Sequence, residues 1–220
     1  MPHRARPRHA ASQPVHVTLR SALRSLRDPF LFPTVRGAIA AANRERRSGA
    51  VGSRPLRRDF RVVHFSVQGD HVHLLVEARD ARSLSNGVRG LSVSIARRVN
   101  TLVRRRGRVF ADRWHGRALA TPRAVRHALV YVLANHRKHR SSRATLDPCS
   151  SAPYFAGFRE FRGRAAVELN PRCVPRALAP PSAEGPPAAT PRTWLLDVGW
   201  RQAGTISLHD APRSAPILPT

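Results

Sequence analysis

Two histidines one residue apart, His71 and His73, lie in a run over residues 68–77 that alternates like a β-strand. Successive strand side chains point to opposite faces, so both imidazoles share one face, with a gap suited to a single divalent ion. The pair therefore predicts half of a metal site. The alternative is a pair of ordinary surface histidines, since the chain has 11 histidines in all.

Tyr131 and Asn135 supply a candidate second half. They are four residues apart in a segment with helical periodicity, which places them on one side of a helix, about one turn from each other. Two neutral imidazoles and an amide oxygen suit Mg²⁺ or Mn²⁺, and a nearby tyrosine hydroxyl can attack phosphorus. The alternative is a tyrosine at the rim of a core with an exposed asparagine nearby.

The charge of the chain indicates its partner. There are 39 Lys+Arg against 13 Asp+Glu, a formal net charge of +26 in 220 residues. Such a field favours a polyanion, above all nucleic acid. Lys138 is the only lysine, a bias that genomic base composition can also produce. Whatever its origin, guanidinium grips phosphate through two parallel hydrogen bonds.

Cysteine usage and the N-terminus bear on the cellular compartment. Cys149 and Cys173 have no Cys-x-x-Cys spacing, which disfavours a disulfide framework or a zinc ribbon. The basic N-terminus lacks the apolar core of a signal peptide, and no run approaches a membrane span. We therefore expect a cytoplasmic protein without a membrane partner.

The elements that must position these residues follow from hydrophobic periodicity. We predict a strand over 15–19, a helix over 32–47, and strands Phe60–Val67 and His71–Ala78. The residues between the last two strands, 68–70, are turn formers, which predicts a hairpin.

The second half of the domain continues the alternation. An amphipathic helix is predicted over 83–106 and ended by Gly107, followed by a strand over 109–120. Pro122 opens a last helix over 123–139, whose apolar side carries Val125, Leu129, Val132 and Leu133. The order β-α-β-β-α-β-α predicts an α+β fold, a ferredoxin-like antiparallel sheet with helices on one face and one further helix added.

Composition divides the chain into four parts. Residues 1–14 are predicted to be a disordered basic arm, 15–140 one compact domain, and 141–192 an irregular linker rich in Pro and Arg. In the final part, 193–220, Trp194, Leu195 and Val198 have helical spacing. We expect this segment to dock back onto the domain; the alternative is that Trp200 stacks on a base.

The motifs together resemble a known family. His71-Val-His73, preceded by Gln-Gly-Asp and followed by Leu-Leu-Val-Glu77, together with Tyr131-Val-Leu-Ala-Asn135, resembles the HUH superfamily of single-tyrosine, single-strand DNA transposases. The resemblance is greatest to the REP-associated tyrosine transposases. Residues 15–20 and 113–117 also resemble strands of that branch, and the likeness covers roughly residues 14–140.

The resemblance implies a role for each matching residue. His71 and His73 would bind a divalent metal, Mg²⁺ or Mn²⁺, with Asn135 as third ligand. Tyr131 would be the nucleophile that cleaves and rejoins single-stranded DNA through a 5′-phosphotyrosine. Relatives often have Pro directly after that asparagine, so His136 alters the end of the helix here. Their DNA is a short hairpin in repetitive extragenic sequence.

Basic side chains provide the candidate DNA contacts. Arg113, His115 and Arg117 alternate on one face of the strand before the tyrosine helix, and Arg113 is the first expectation because strand geometry would place it beside the site. The remaining candidates are arginines of the preceding helix and its end: Arg97, Arg98, Arg104, Arg105 and Arg106.

Two other function classes stay open. One is a small HUH replication initiator or relaxase, which the size and the absence of a helicase segment disfavour. The other is a non-catalytic or domesticated protein that binds single-stranded DNA or RNA on the same fold. RNA recognition on such a sheet expects aromatics on its central strands, whereas alternation puts Phe60 and Phe65 on opposite faces. The sequence leaves both monomer and homodimer open.

Overall fold

A computed structural model describes residues 9–23, 25–44, 59–138, 145–174 and 187–212. Most of the predicted basic arm, residues 45–47 of the first predicted helix and the last residue of the tyrosine helix lie outside the described residues. So do 141–144 and 175–186 of the predicted linker, and the final eight residues of the chain. The first helix ends at Asn43, since Arg44 is extended with ψ 127°, so the prediction of a continuous helix to 47 is wrong at Arg44.

Four strands form one antiparallel sheet. They are β1 (Val15–Arg20), β2 (Phe60–Val67), β3 (His71–Ala78) and β4 (His115–Ala118), in the spatial order β2-β3-β1-β4. The predicted hairpin is the β2–β3 pair. The strand that carries His71 and His73 thus lies in the interior of the sheet, where both of its edges are paired.

Helices cover both faces of this sheet. Helices α1 (Phe32–Asn43) and α2 (Ala81–Leu102) pack on one face, and α3 (Pro122–Leu133) packs on the other. Strand β3 contributes side chains to the core on each face, because successive side chains point to opposite faces of the sheet. Val72, Leu74 and Val76 join the core under α1 and α2, whereas Leu75 joins the core under α3. The predicted α+β, ferredoxin-like order is confirmed.

Helix α2 begins two residues before the predicted start at 83, and it ends earlier than predicted. The Asp80 side chain accepts a hydrogen bond from Ser83 N at 2.7 Å, which caps the N-terminus. The helix ends at Leu102, since Arg104 takes a left-handed φ of 49° and Asn100 reaches over the turn to the Gly107 carbonyl. The prediction of a helix through 106 is wrong, because residues 104–106 belong to the turn and irregular segment that follow the helix.

Strand β4 is much shorter than the predicted 109–120. It begins at His115, while Phe110 forms only an isolated bridge with Ser21. Residues 112–114 leave the ladder between these two points, so the segment is not a continuous strand. Arg113 therefore precedes β4, and the expectation that strand alternation aligns it with His115 and Arg117 is wrong.

The helix predicted over 123–139 is divided. Pro122 is its first residue, as predicted, and Thr121 caps its start. Regular geometry stops at Ala134, with φ −113° and ψ 17°. A second short helix, α4 (Asn135–Lys138), follows at once. Tyr131 and Asn135 thus belong to different helical segments.

A β-bulge in β2 changes a face assignment. Val62 pairs with Val76 and His64 with Leu75, so Val63 is the extra residue. As a result Phe60 and Phe65 both point into the core under α1 and α2, not to opposite faces. Because helices cover that face, these aromatics offer no surface to RNA.

The C-terminal third packs against α3. Its described residues form only short helices, α5 (Ala166–Leu169) and α6 (Trp194–Asp197) and several 3-10 turns. Phe155, Phe158 and Trp200 nevertheless enter the core beside α3, with the Phe155 and Trp200 ring centroids 5.8 Å apart. Trp200 is 2% exposed, which rules out stacking on a base, whereas Trp194 is 53% exposed.

Glu77 holds the start of α6. Its carboxylate is buried and accepts hydrogen bonds from the backbone of Arg192 and Thr193 and from the Thr193 hydroxyl, at 2.8–3.0 Å. The C-terminal segment is therefore attached to the strand that carries the two histidines. Among the described residues, every helix is too short or too polar to traverse a bilayer.

Candidate active site

His71 and His73 project from β3 toward the α3 side of the sheet. Their ring centroids are 4.6 Å apart and the rings are nearly perpendicular, at 84°. His73 is buried at 4% exposure, and His71, the first residue of β3, is partly exposed. The shared face expected from strand alternation is thus realised.

Tyr131 comes to these histidines from α3. Its ring meets the His73 ring edge-on, with centroids 5.0 Å apart. The α3 residues Leu129 and Leu133 are buried in the same core as Leu75 of β3, so this helix packs beside the strand that carries the histidines. Partial burial raises the pKa of the Tyr131 phenol. A phenolate at this position therefore needs positive charge nearby.

Asn135 is fully buried just beyond α3. Neither its amide nitrogen nor its amide oxygen has a hydrogen-bond partner among the described residues. Such orphaned polar groups are uncommon, and an absent ion or water often explains them. The adjacent His136 is also buried, at 1% exposure. Coordination by Asn135 stays a prediction.

Strand β1 adds two residues that were not predicted for the site. His16 Nε2 lies 3.3 Å from His73 Nδ1, and Thr18 Oγ1 lies 3.2 Å from the same nitrogen. The His16 ring also contacts the Tyr131 ring at 5.5 Å between centroids. Burial, and then the positive charge of Arg117, lower the pKa of His16 to about 4, so its imidazole is neutral at pH 7.

The sequence contains part of the information that places His16 and Thr18 at the site. The alternation in 15–19 puts both polar side chains on the face opposite Val15, Val17 and Leu19. Only the register, which pairs Thr18 with His73, brings them to the site. The turn before β3 adds a further polar contact to the site, because Asp70 Oδ1 lies 2.5 Å from His71 Nδ1.

The residues fit a small hard cation by their donor chemistry. Two imidazoles and a buried, unsatisfied amide are ligands that Mg²⁺ or Mn²⁺ accepts while keeping positions for phosphate and water. Within the described ranges, no three or more His, Cys, Asp or Glu side chains are grouped so that they could hold a metal. Metal binding therefore depends on the amide as third ligand and stays a prediction.

The candidate DNA-binding residues fall into separate places. His115 and Arg117 are exposed on β4, opposite Thr18 and His16, so they lie on the α3 face of the sheet. Arg97 and Arg98 are exposed on α2, in the layer on the other face. Arg113 and the group Arg104, Arg105 and Arg106 lie outside regular elements. Of the candidates on helices and strands, the β4 pair shares the face of His73, and Arg97 and Arg98 do not.

Comparison with known proteins supports the fold. No protein-family model matches the chain, and no curated protein matches it. A solved structure of a REP-associated tyrosine transposase bound to a REP hairpin is similar, with a TM-score of 0.53 and 17% sequence identity, over 69% of this chain and 82% of that one. At 17% identity the likeness shows the fold alone: this chain has an α+β architecture like that of the transposase.

Proposed function

We propose that this protein is a transposase that cleaves and rejoins single-stranded DNA through a 5′-phosphotyrosine at Tyr131. The observation that carries the proposal is the cluster of His71, His73 and Tyr131 on one side of the sheet. The ring centroids of His71 and His73 are 4.6 Å apart, and those of His73 and Tyr131 are 5.0 Å apart. Two elements distant in sequence bring these residues together in a strongly basic chain. A rim-of-core tyrosine requires no such arrangement.

The reaction follows from the chemistry of the phenol. Tyr131 Oη loses its proton and attacks the phosphorus of a DNA phosphodiester. A bond forms between Oη and phosphorus, the bond to the 3′ oxygen breaks, and that oxygen leaves as a 3′-hydroxyl after taking up a proton. Attack by another 3′-hydroxyl reverses these steps, rejoins the strand and restores the free phenol.

His71, His73 and Asn135 would hold the divalent metal, Mg²⁺ or Mn²⁺. When bound, such an ion supplies positive charge that stabilises a phenolate and the charge developing on a phosphate. The protein itself orients the reacting groups. The contacts from Asp70 and Thr18 restrain the two imidazoles, and the packing of α3 restrains Tyr131.

The DNA partner is proposed from charge and from the similar protein. The net charge of +26 favours a polyanion, and Arg117 and His115 on β4 place positive and hydrogen-bonding groups on the site face. The solved transposase is bound to a REP hairpin. We therefore propose a single-stranded DNA substrate that contains a hairpin.

Covalent capture tests the proposal. The full chain is incubated with a hairpin-containing single-stranded oligonucleotide and Mn²⁺, and then denatured. We expect an adduct that survives denaturation, disappears in EDTA and is absent in Tyr131→Phe, because phenylalanine has no nucleophilic oxygen. Tyr154→Phe is the matched control, since the chain has only two tyrosines, and it should form the adduct normally.

The outcomes separate the function classes. An adduct that persists in Tyr131→Phe would refute the assignment of the nucleophile. Binding of the oligonucleotide without any adduct, in the presence of Mn²⁺ or Mg²⁺, would instead favour a non-catalytic DNA-binding protein on this fold.

A further inference from the structure

His73 makes two polar contacts with β1 through one ring nitrogen. His16 Nε2 and Thr18 Oγ1 both approach Nδ1, at 3.3 and 3.2 Å. The register explains this, because Thr18 is the direct cross-strand partner of His73, and His16 lies two residues further along the same face. Nδ1 therefore faces β1, and a ligand role falls to Nε2, on the other side of the ring.

The protonation pattern of this contact decides whether His73 can bind a metal. A neutral imidazole has one N–H and one lone pair. With the hydrogen on Nδ1, His73 donates to His16 Nε2 or Thr18 Oγ1, and Nε2 keeps its lone pair. With the hydrogen on Nε2, the nitrogen that faces away from β1 has no lone pair to offer. Metal-binding histidines commonly donate their second ring N–H to such a partner.

His71 provides an internal comparison. Its Nδ1 contacts the Asp70 carboxylate, which can only accept when ionised, so this contact favours the Nδ1–H form. His71 and His73 thus have the same arrangement, with Nδ1 engaged by a neighbouring residue. The partner differs: a carboxylate from the turn for His71, and an imidazole and a hydroxyl from β1 for His73.

His16 also links the two halves of the site. Its ring lies 5.3 Å from the His73 ring and 5.5 Å from the Tyr131 ring, between centroids. One side chain of β1 therefore touches both a proposed ligand and the proposed nucleophile. A residue needed only to fill the core would not require a ring nitrogen aimed at His73.

We propose that His16, assisted by Thr18, is a positioning residue that holds His73 in its Nδ1–H tautomer, so that Nε2 serves as the metal ligand. This inference rests on the proposed function, since it assigns a role within the same site. His16 touches neither DNA nor metal in this role and acts through His73.

Nuclear magnetic resonance of ¹⁵N-histidine-labelled protein in EDTA tests the tautomer without metal. In the wild type we expect the hydrogen of His73 on Nδ1. His16→Leu combined with Thr18→Val should shift His73 toward the Nε2–H form. His16→Gln should keep the wild-type tautomer, because its side-chain carbonyl can still accept a hydrogen bond.

Calorimetric titration with Mn²⁺ provides the second readout. Loss of an outer partner of a metal-binding histidine typically weakens metal affinity by about 10- to 100-fold. We expect a loss in that range for His16→Leu, a smaller one for His16→Gln, and none for His209→Leu, which is an exposed histidine near the C-terminus. Circular dichroism verifies that each variant is folded, and the single Thr18→Val replaces the double variant if that fails to fold.

Two results would overturn the inference. One is a wild-type His73 with its hydrogen on Nε2. The other is a folded His16→Leu protein with wild-type Mn²⁺ affinity. If the wild type itself binds no Mn²⁺, the proposed metal site fails, and the tautomer measurement still decides the role of His16 because it needs no metal.

Discussion

Acid should destabilise the protein through a histidine outside the candidate site. His64 on β2 is buried in the core, with its ring 5.3 Å from the Phe155 ring and its Nδ1 3.2 Å from the Ser151 hydroxyl. Burial lowers its pKa from 6.5 to about 4. A cation on this ring would be buried beside the Phe155 ring and away from water, so protonation favours the unfolded chain.

The size of the effect follows from the two pKa values. The unfolded chain takes up the proton near pH 6.5, whereas the folded chain takes it up only near pH 4. The stabilisation from neutral His64 is therefore complete above pH 6.5 and is lost as the pH falls toward 4. The full difference corresponds to roughly 3 kcal/mol, and the share lost between pH 7.5 and 5 to about 2 kcal/mol.

Urea unfolding at pH 7.5 and pH 5 measures this loss in the wild type and in His64→Gln. Glutamine does not titrate, but it keeps a polar group near Ser151. We expect the wild type to lose about 2 kcal/mol more than the variant between the two pH values. His16 titrates in both proteins, so its contribution cancels. Equal losses in the two proteins would show that His64 is not held neutral by burial.

Two further changes test the attachment of the C-terminal segment and the location of DNA. Glu77→Gln should lower the free energy of unfolding by roughly 2 kcal/mol, since hydrogen bonds to the buried carboxylate are charge-assisted; an unchanged urea midpoint would contradict this. Arg117→Ala should weaken binding of a single-stranded hairpin oligonucleotide in fluorescence anisotropy at low salt more than Arg97→Ala does, because only Arg117 lies on the His73 face. Equal or reversed losses would place the DNA elsewhere.

Local periodicity was sufficient for much of the fold. The alternation in Phe60–Val67 and His71–Ala78 defined both strands of the hairpin with the correct bounds. Apolar spacing also identified the buried side of α3, where Val125 and Leu129 are fully covered. In each case the pattern and the structure depend on the same quantity, which is the burial of one face of a regular element.

The ends of helices and strands, and the face to which a side chain points, were harder to predict from the sequence, because tertiary contacts decide them. The division at Ala134 and the departure of 112–114 from the ladder follow no periodic signal. The bulge at Val63 is a single extra residue, yet it moves Phe65 to the face opposite the expected one. Alternation is a reliable guide only while the ladder stays regular.

The candidate site shows the same division between local and long-range information. His71 and His73 are neighbours on one strand, so their shared face could be predicted from their spacing. His16 and His73 are 57 residues apart, and their contact depends on the register of β1 against β3. The net charge likewise predicts a polyanion, but it assigns no arginine to a face. The pairing of β4 with β1 makes that assignment, and it separates Arg117 from Arg97.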